Sequence, residues 1–441
     1  MKKRVLLLCI FSCALSVWGQ NQDSEDIVKT GWNVGLLPAI AYNSDLGFEY
    51  GAIVNLFNYG DGSNYPNYDH SLYLEVSRFT KGSGIFRAYY DTQYLIPNIR
   101  LTADLSYLPD EAYDFFGFNG YESVYHPDWE DDTSDDYKSR MVYKYQRNLF
   151  RAKADFQGGI SGENFRWIAG AAVRNFDIAP VDIEKLNKGL DKEDKLPSVD
   201  EQPGLYEKYL NWGLIPEDEK NGGTIASVKA GLVYDTRNTV QNPSKGLWTE
   251  AVLVGSPSFL SDESFIKFSL THRQYHSITK SLTFAGRFGY QTTLSGHSPF
   301  YFQPLMITSV YTGAWNEGLG GQRSIRGVNR NRIVGDGFVY GNFELRWIVW
   351  RFNIGNQNFY LGLNSFFDTG RVTDEINISP AQSDEQSDPY FDPGSESLHH
   401  SAGLGLKIAM NWNFVLSVEY GQAFDEQDGD SGLYIALNYL F

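Results

Sequence analysis

The feature that most restricts this chain is a two-residue period that recurs in stretches of about ten residues. Ile99, Leu101, Ala103, Leu105 and Tyr107 share one face of such a stretch, with Arg100, Thr102, Asp104 and Ser106 on the other. Phe86, Ala88, Tyr90 and Tyr94 oppose Arg87, Asp91 and Gln93, and Phe165, Trp167, Ala169, Ala171 and Val173 oppose Arg166 and Arg174. A helix would scatter both sets around its axis, so this pattern belongs to strands with one apolar face. Beyond the first twenty residues, no run approaches the roughly 18 apolar residues that a membrane helix requires. Aromatic residues make up 15% of the chain while its mean hydropathy is −0.36, a combination that suits short alternating strands.

A soluble sandwich alternates as well, so strand number and connections decide between the two. Sixteen segments are long enough for the roughly 9 to 11 residues of a tilted membrane strand. They lie near 31–42, 45–57, 69–80, 84–95, 98–108, 140–160, 163–176, 223–235, 246–255, 263–275, 280–293, 338–349, 357–368, 400–410, 412–421 and 432–441. An even count lets a closed barrel keep both ends on one side, and closure satisfies every strand edge. With both ends in the periplasm, the long links near 109–139, 177–222, 294–337 and 369–399 all fall outside. Most of the other links are short, which is the asymmetry of an outer-membrane barrel. Asn58 to Asp69 and Asn238 to Lys245 are the exceptions and read as longer turns.

The ends of the sequence agree with this topology. Lys2, Lys3 and Arg4 precede an apolar stretch, Val5 to Val17, and small Gly19, which predicts a signal peptide over residues 1–19. Both cysteines, Cys9 and Cys13, lie inside it, so disulfide and thiol chemistry are not expected of the mature chain. Residues 20–30 are expected to be a short periplasmic segment and 31–441 the barrel. At the other end, Leu433, Ile435, Leu437, Tyr439 and Phe441 alternate with Tyr434, Ala436 and Asn438. That places Tyr439 and Phe441 on a lipid face, and a terminal aromatic on such a strand resembles the signal by which outer-membrane barrels are recognised for assembly.

The net charge of −17 is concentrated in loops such as Asp128 to Asp136, Asp182 to Glu219 and Asp384 to Glu396. Such a surface repels a phosphate backbone and excludes nucleic acid as a partner. No G-x-S-x-G, H-E-x-x-H or G-x-x-x-x-G-K occurs, so no enzyme class is indicated. No metal or other cofactor is expected; Asp425 to Asp430 lacks the spacing and terminal Glu of a calcium loop.

The sixth outside loop carries Arg323, Arg326, Arg330 and Arg332 and runs directly into the twelfth strand. There Val339, Phe343, Leu345 and Trp347 face lipid, which turns Asn342, Glu344 and Arg346 inward. In the thirteenth strand Phe359, Leu361, Leu363 and Phe367 face out, which turns Tyr360, Asn364 and Asp368 inward. Two carboxylates on adjacent strands therefore share the lumen. Composition leaves open whether a loop arginine folds in to meet them or stays outside.

Gly320 to Gly327, Gly-Gly-Gln-Arg-Ser-Ile-Arg-Gly, followed by Gly335 to Arg346, resembles the bacterial surface-antigen barrel superfamily of BamA, TamA and FhaC. Three further stretches are similar to motifs of that family and occur in its order: Phe115 to Gly120, Gly231 to Arg237 with Pro243 and Gly246, and Phe366 to Gly370. The resemblance covers about residues 31–441. It implies an all-β fold, a sixteen-stranded antiparallel transmembrane β-barrel in the bacterial outer membrane. Its sixth loop would fold inward so that Arg326 grips Glu344 and Asp368 while Gly327 turns the tip. The family usually has an aromatic residue after Arg-Gly, where this chain has Val328.

Relatives that insert or secrete proteins carry POTRA domains, and residues 20–30 are too few for one. A client would then reach the barrel directly or through a periplasmic or lipoprotein partner. The expected function is insertion or transport of protein, or of lipid, by opening the seam between the first and last strands, with outer-membrane lipid as the other partner. The alternative is a passive outer-membrane channel constricted by the sixth loop.

Overall fold

Alternation obliges each segment to find two strand neighbours, and the chain satisfies this by pairing every strand antiparallel with the next. A computed structural model describes residues 27–43, 47–80, 82–162, 164–240, 242–309, 318–381, 385–411 and 414–441. The proposed signal peptide lies outside these residues. Sixteen strands form one sheet in chain order. They are β1 (Trp32–Asn43), β2 (Gly47–Asn58), β3 (His70–Phe79), β4 (Gly84–Ile96), β5 (Ile99–Asp114), β6 (Lys144–Ser161), β7 (Phe165–Ala179), β8 (Gly222–Asp235), β9 (Gly246–Ser256), β10 (Phe265–Ser277), β11 (Leu282–Gly296), β12 (Gly337–Ile354), β13 (Gln357–Asp374), β14 (His399–Met410), β15 (Phe414–Ala423) and β16 (Ser431–Leu437). All sixteen expected segments are strands, although β5, β12 and β13 run five or six residues further than their alternation suggested.

The outward face is apolar because it meets lipid, and the inward face is polar because it lines a lumen. On β12 the side chains of Phe343, Leu345 and Trp347 are exposed, while Asn342, Glu344 and Arg346 are buried. β13 repeats this with Leu363 and Phe367 outside and Tyr360, Asn364 and Asp368 inside. Register couples the two rows, since Asn342 pairs with Asp368 and Arg346 with Asn364.

Both mouths of the barrel are covered. Outside, the loops after β5, β7, β11 and β13 share an aromatic core that includes Phe115, Phe118, Trp129, Tyr145, Tyr209, Phe300 and Tyr390. This cap also draws in the short helix Leu205–Asn211. Inside, the two longer turns fold across the opening. Phe57, Tyr59 and Tyr68 cluster beneath the turn after β2, Asn358 Nδ2 donates to Tyr65 Oη at 3.1 Å, and Asn242 Nδ2 of the other turn donates to Tyr360 Oη at 3.0 Å.

One expectation needs correction. β16 stops at Leu437, and Asn438 takes a left-handed φ of 67°, a conformation that Asn tolerates better than most residues. This turns Tyr439, Leu440 and Phe441 into the lumen, where all three are buried, instead of setting Tyr439 and Phe441 on the lipid face. The physical reason is a pair of guanidiniums: those of Arg346 and Arg287 lie 4.8 and 5.2 Å from the Phe441 ring. Arg346 Nη2 also donates to Phe441 O at 2.9 Å. The strand that would meet β1 is therefore only seven residues long.

β1 returns to the end of that last hairpin. A Cβ built on Gly35 would lie 2.8 Å from the ring of Phe414. Among the described residues, however, no ladder pair joins β1 to β16.

Candidate functional site in the barrel lumen

The segment 318–336 is a tongue that closes on itself before it enters the lumen. Leu319 and Ile333 exchange backbone hydrogen bonds at 3.2 and 3.1 Å. Ser324 Oγ lies 3.1 and 3.0 Å from the carbonyl oxygens of Gly318 and Gly320, which share its one proton. Leu319, Ile325, Val328 and Ile333 then pack with Met306, Phe338, Tyr340 and Val372 as a small apolar core. Val328 is thus used inside the tongue.

At the tip, Arg326 is fully buried and engages three carboxylates. Its Nε and Nη2 donate to the two oxygens of Asp368 at 2.8 and 3.0 Å, a bidentate pair. Its Nη1 donates to Glu344 Oε1 at 2.6 Å and to Glu419 Oε1 at 2.8 Å. The backbone N–H of Arg326 adds a bond to Asp368 at 3.1 Å. The guanidinium lies 3.5 Å from the centre of the Phe366 ring, so β13 supplies the aromatic face that Val328 does not.

Three anions around one cation would be unstable in a dry interior. Here Arg346 Nε donates to Glu344 at 2.7 Å and Lys407 Nζ lies 2.8 Å from Glu419, so three cations balance three carboxylates. The network joins β12, β13, β14 and β15 through one loop side chain. Gly327 N donates to Tyr434 Oη at 2.8 Å, which extends the contact to β16, and Gln322 Nε2 lies 3.5 Å from Ile435 O of the same strand.

The other loop arginines serve the cap. Arg330 pairs with Asp110 at 3.0 Å and with Asp114, while Arg332 donates to the carbonyls of Gly120, Ser123 and Gln427 at 2.7, 2.9 and 2.6 Å. Phe115 to Gly120 is held from the same tongue by Asn119 N donating to Val334 O at 2.6 Å. Glu419 and Lys407 were not singled out from sequence, and Phe366 entered only as the first residue of the Phe366 to Gly370 stretch. Strand parity turns Glu419 inward, but nothing local distinguishes it from other inward carboxylates.

The fold and this site define a class: an outer-membrane β-barrel whose extracellular loop returns into its own lumen. The Omp85 superfamily domain matches residues 79–438. The chain belongs to that superfamily, the bacterial outer-membrane β-barrels of protein insertion and secretion, whose members are transporters and assembly factors. The fold is similar to that of BamA from Haemophilus ducreyi lacking POTRA domains 1-3, with 17% identity, 93% of this chain and 69% of that one covered, and a TM-score of 0.50. It is similar also to CdiB from Escherichia coli, with 12% identity, 92% and 62% covered, and a TM-score of 0.53. No curated protein sequence matches the chain.

Proposed function

We propose that this barrel inserts or translocates protein, or lipid, by opening laterally between β1 and β16, with the Arg326-anchored tongue moving as it does so. The observation that carries this reading is the seam. β16 offers seven residues to a β1 of twelve, and no ladder joins them among the described residues. An unpaired edge is a template on which a client strand adds by main-chain hydrogen bonds. Gly35 and Pro38 weaken β1 as a ladder partner.

In this reading Arg326, Gly327, Glu344 and Asp368 form a lock. The tongue touches β16 through Tyr434 and reaches the free edge near Ile435, so movement of the tip and the state of the seam are mechanically linked. Clients reach the barrel from the periplasmic side, alone or with a lipoprotein partner. A passive channel constricted by the tongue requires a path through both the cap and the periplasmic turns, and no observation favours it.

The test is a disulfide between cysteines engineered into β1 and β16, with the outer-membrane proteome and lipids quantified during depletion and complementation. Loss of complementation on oxidation, restored by reductant, is expected. Full function with the seam locked would remove lateral opening. Solute conductance through the purified barrel would favour the channel instead.

A further inference from the structure

We propose that the periplasmic end of the seam is held shut by a clasp, in which the segment ahead of β1 and the turn after β2 both catch on Asn358 of β13. This rests on lateral opening as the mode of action and names what controls it. In the sheet order β13 lies beyond the seam from β1, behind β16, β15 and β14. A contact from the β1 side to β13 therefore joins the two flanks of the opening.

Residues 27–31 make that contact. Gly31 stays with the first hairpin, where its N–H donates to Gly60 O at 2.8 Å and its carbonyl accepts from Tyr59 N at 3.0 Å. Four residues earlier the chain has reached the other flank. Ile27 N donates to Asn358 Oδ1 at 2.9 Å, and Asn358 Nδ2 donates to Ile27 O at 3.0 Å. One side-chain amide thus satisfies both backbone groups of one residue, as a neighbouring strand does within a ladder. Lys29 Nζ donates to the carbonyl of Asn356, in the turn between β12 and β13. Tyr65 is a second arm from the first hairpin, since its Oη accepts from the same Asn358 Nδ2 at 3.1 Å. Asn358 is itself buried, and its backbone N–H donates to Asn411 Oδ1 at 3.1 Å, so the catch is fixed to the barrel wall.

The length of the segment turns this contact into a limit. From Ile27 to Gly31 the chain extends to at most about 14 Å. Each strand added at the seam parts its flanks by about 4.8 Å, so a client hairpin asks for about 10 Å. That is most of the tether's full length, and Ile27 has to leave Asn358 before the flanks separate so far. The catch is suited to release. No carboxylate takes part in it, and hydrogen bonds of this kind each have a small net worth. Since no ladder joins β1 to β16 among the described residues, closure at this end falls to the clasp.

The experiment places spin labels on cysteines engineered at Val34 of β1 and Ile435 of β16, both exposed. The distance between them is read by electron paramagnetic resonance on the full chain in an uncharged maltoside detergent. The parent should show one short distance. Asn358→Leu removes all three side-chain bonds and should add a second population, longer by at least one strand spacing of about 5 Å. The triple change Ile27→Pro, Lys29→Met and Tyr65→Phe removes the backbone N–H, the ammonium and the hydroxyl from the two arms. It leaves the barrel wall untouched, should give the same longer population, and decides the matter if Asn358→Leu does not fold. One short distance in every chain would overturn the clasp, and the disulfide between β1 and β16 then judges lateral opening by itself. The same long distance in parent and variants would overturn the clasp and leave lateral opening standing.

Discussion

Gly327 of the tongue and Gly421 of β15 meet backbone to backbone. A Cβ on Gly327 would lie 2.6 Å from the Gly421 carbonyl carbon, and a Cβ on Gly421 would lie 2.5 Å from Arg326 O. Gly327 also has a φ of 99°, which only glycine adopts without strain. The tongue tip can reach Asp368 because neither residue has a side chain.

Gly421→Ala tests this contact without touching any charge. The methyl group has to displace Arg326, and overpacking of this kind costs about 1–3 kcal/mol. We expect a lower unfolding temperature in detergent, unchanged strand content by circular dichroism, and new protease sensitivity near Arg326 and Arg330. An unaltered digestion pattern would mean that the tip does not rest on β15.

The charge balance makes a second prediction. Arg326→Ala leaves Glu344, Asp368 and Glu419 facing only Arg346 and Lys407, and stranding a buried charge costs about 3–5 kcal/mol. Arg326→Lys keeps the charge but loses the fork that spans both oxygens of Asp368. The double change Arg326→Met with Asp368→Asn restores neutrality and should be milder than Arg326→Ala alone. Denaturant midpoints of the three variants give this order directly. Equal losses would mean that packing, and not charge, sets the cost.

These relationships were unevenly legible in the sequence. Glu344 and Asp368 face one cavity because a strand has a period of two, so counting from Phe343 and Phe367 is enough. Phe366 and Glu419 obey the same count, yet which inward residue meets the tongue depends on barrel geometry that no local pattern carries. At the chain's end the period misled. Alternation continues through Tyr439 and Phe441, while the backbone turns at Asn438, where one left-handed residue leaves no trace in the pattern. The cap was readable only as loops, because Phe115, Tyr209, Phe300 and Tyr390 come from four separate links without shared spacing.

His297 gives the cap a pH dependence. Its imidazole is bonded to Glu219, a carboxylate that is nearly fully buried, and that hydrogen bond raises the His297 pKa above its usual value. A raised folded-state pKa contributes stability below the unfolded value of about 6.5, and the contribution is lost as pH rises through the folded value. Glu219 also accepts from Phe300 N at 2.8 Å, so the pair ties the sixth loop to the link after β7. Limited proteolysis of that loop should quicken between pH 6 and pH 8. His297→Asn should remove the pH dependence and leave a constant rate; a slope that survives the substitution would assign it to another group.

Phe441 separates two roles that share one residue. A surface signal acts during assembly and contributes little to the finished barrel, whereas a lumen anchor acts in the folded state. The ring packs against Tyr275, at 6.2 Å between centres, and under the guanidiniums of Arg346 and Arg287. Phe441→Ala therefore removes a buried aromatic, at a cost of about 3–5 kcal/mol, and exposes the inner wall of β10 and β12. The variant refolded from denaturant into detergent should unfold at a lower temperature than the parent, with no assembly machinery present. Asn438→Val should act in the same direction, because a β-branched residue resists the left-handed turn that carries the tail inward. If both variants unfold like the parent in detergent but accumulate poorly in the outer membrane, the aromatic terminus works as a signal and the lumen contacts contribute little.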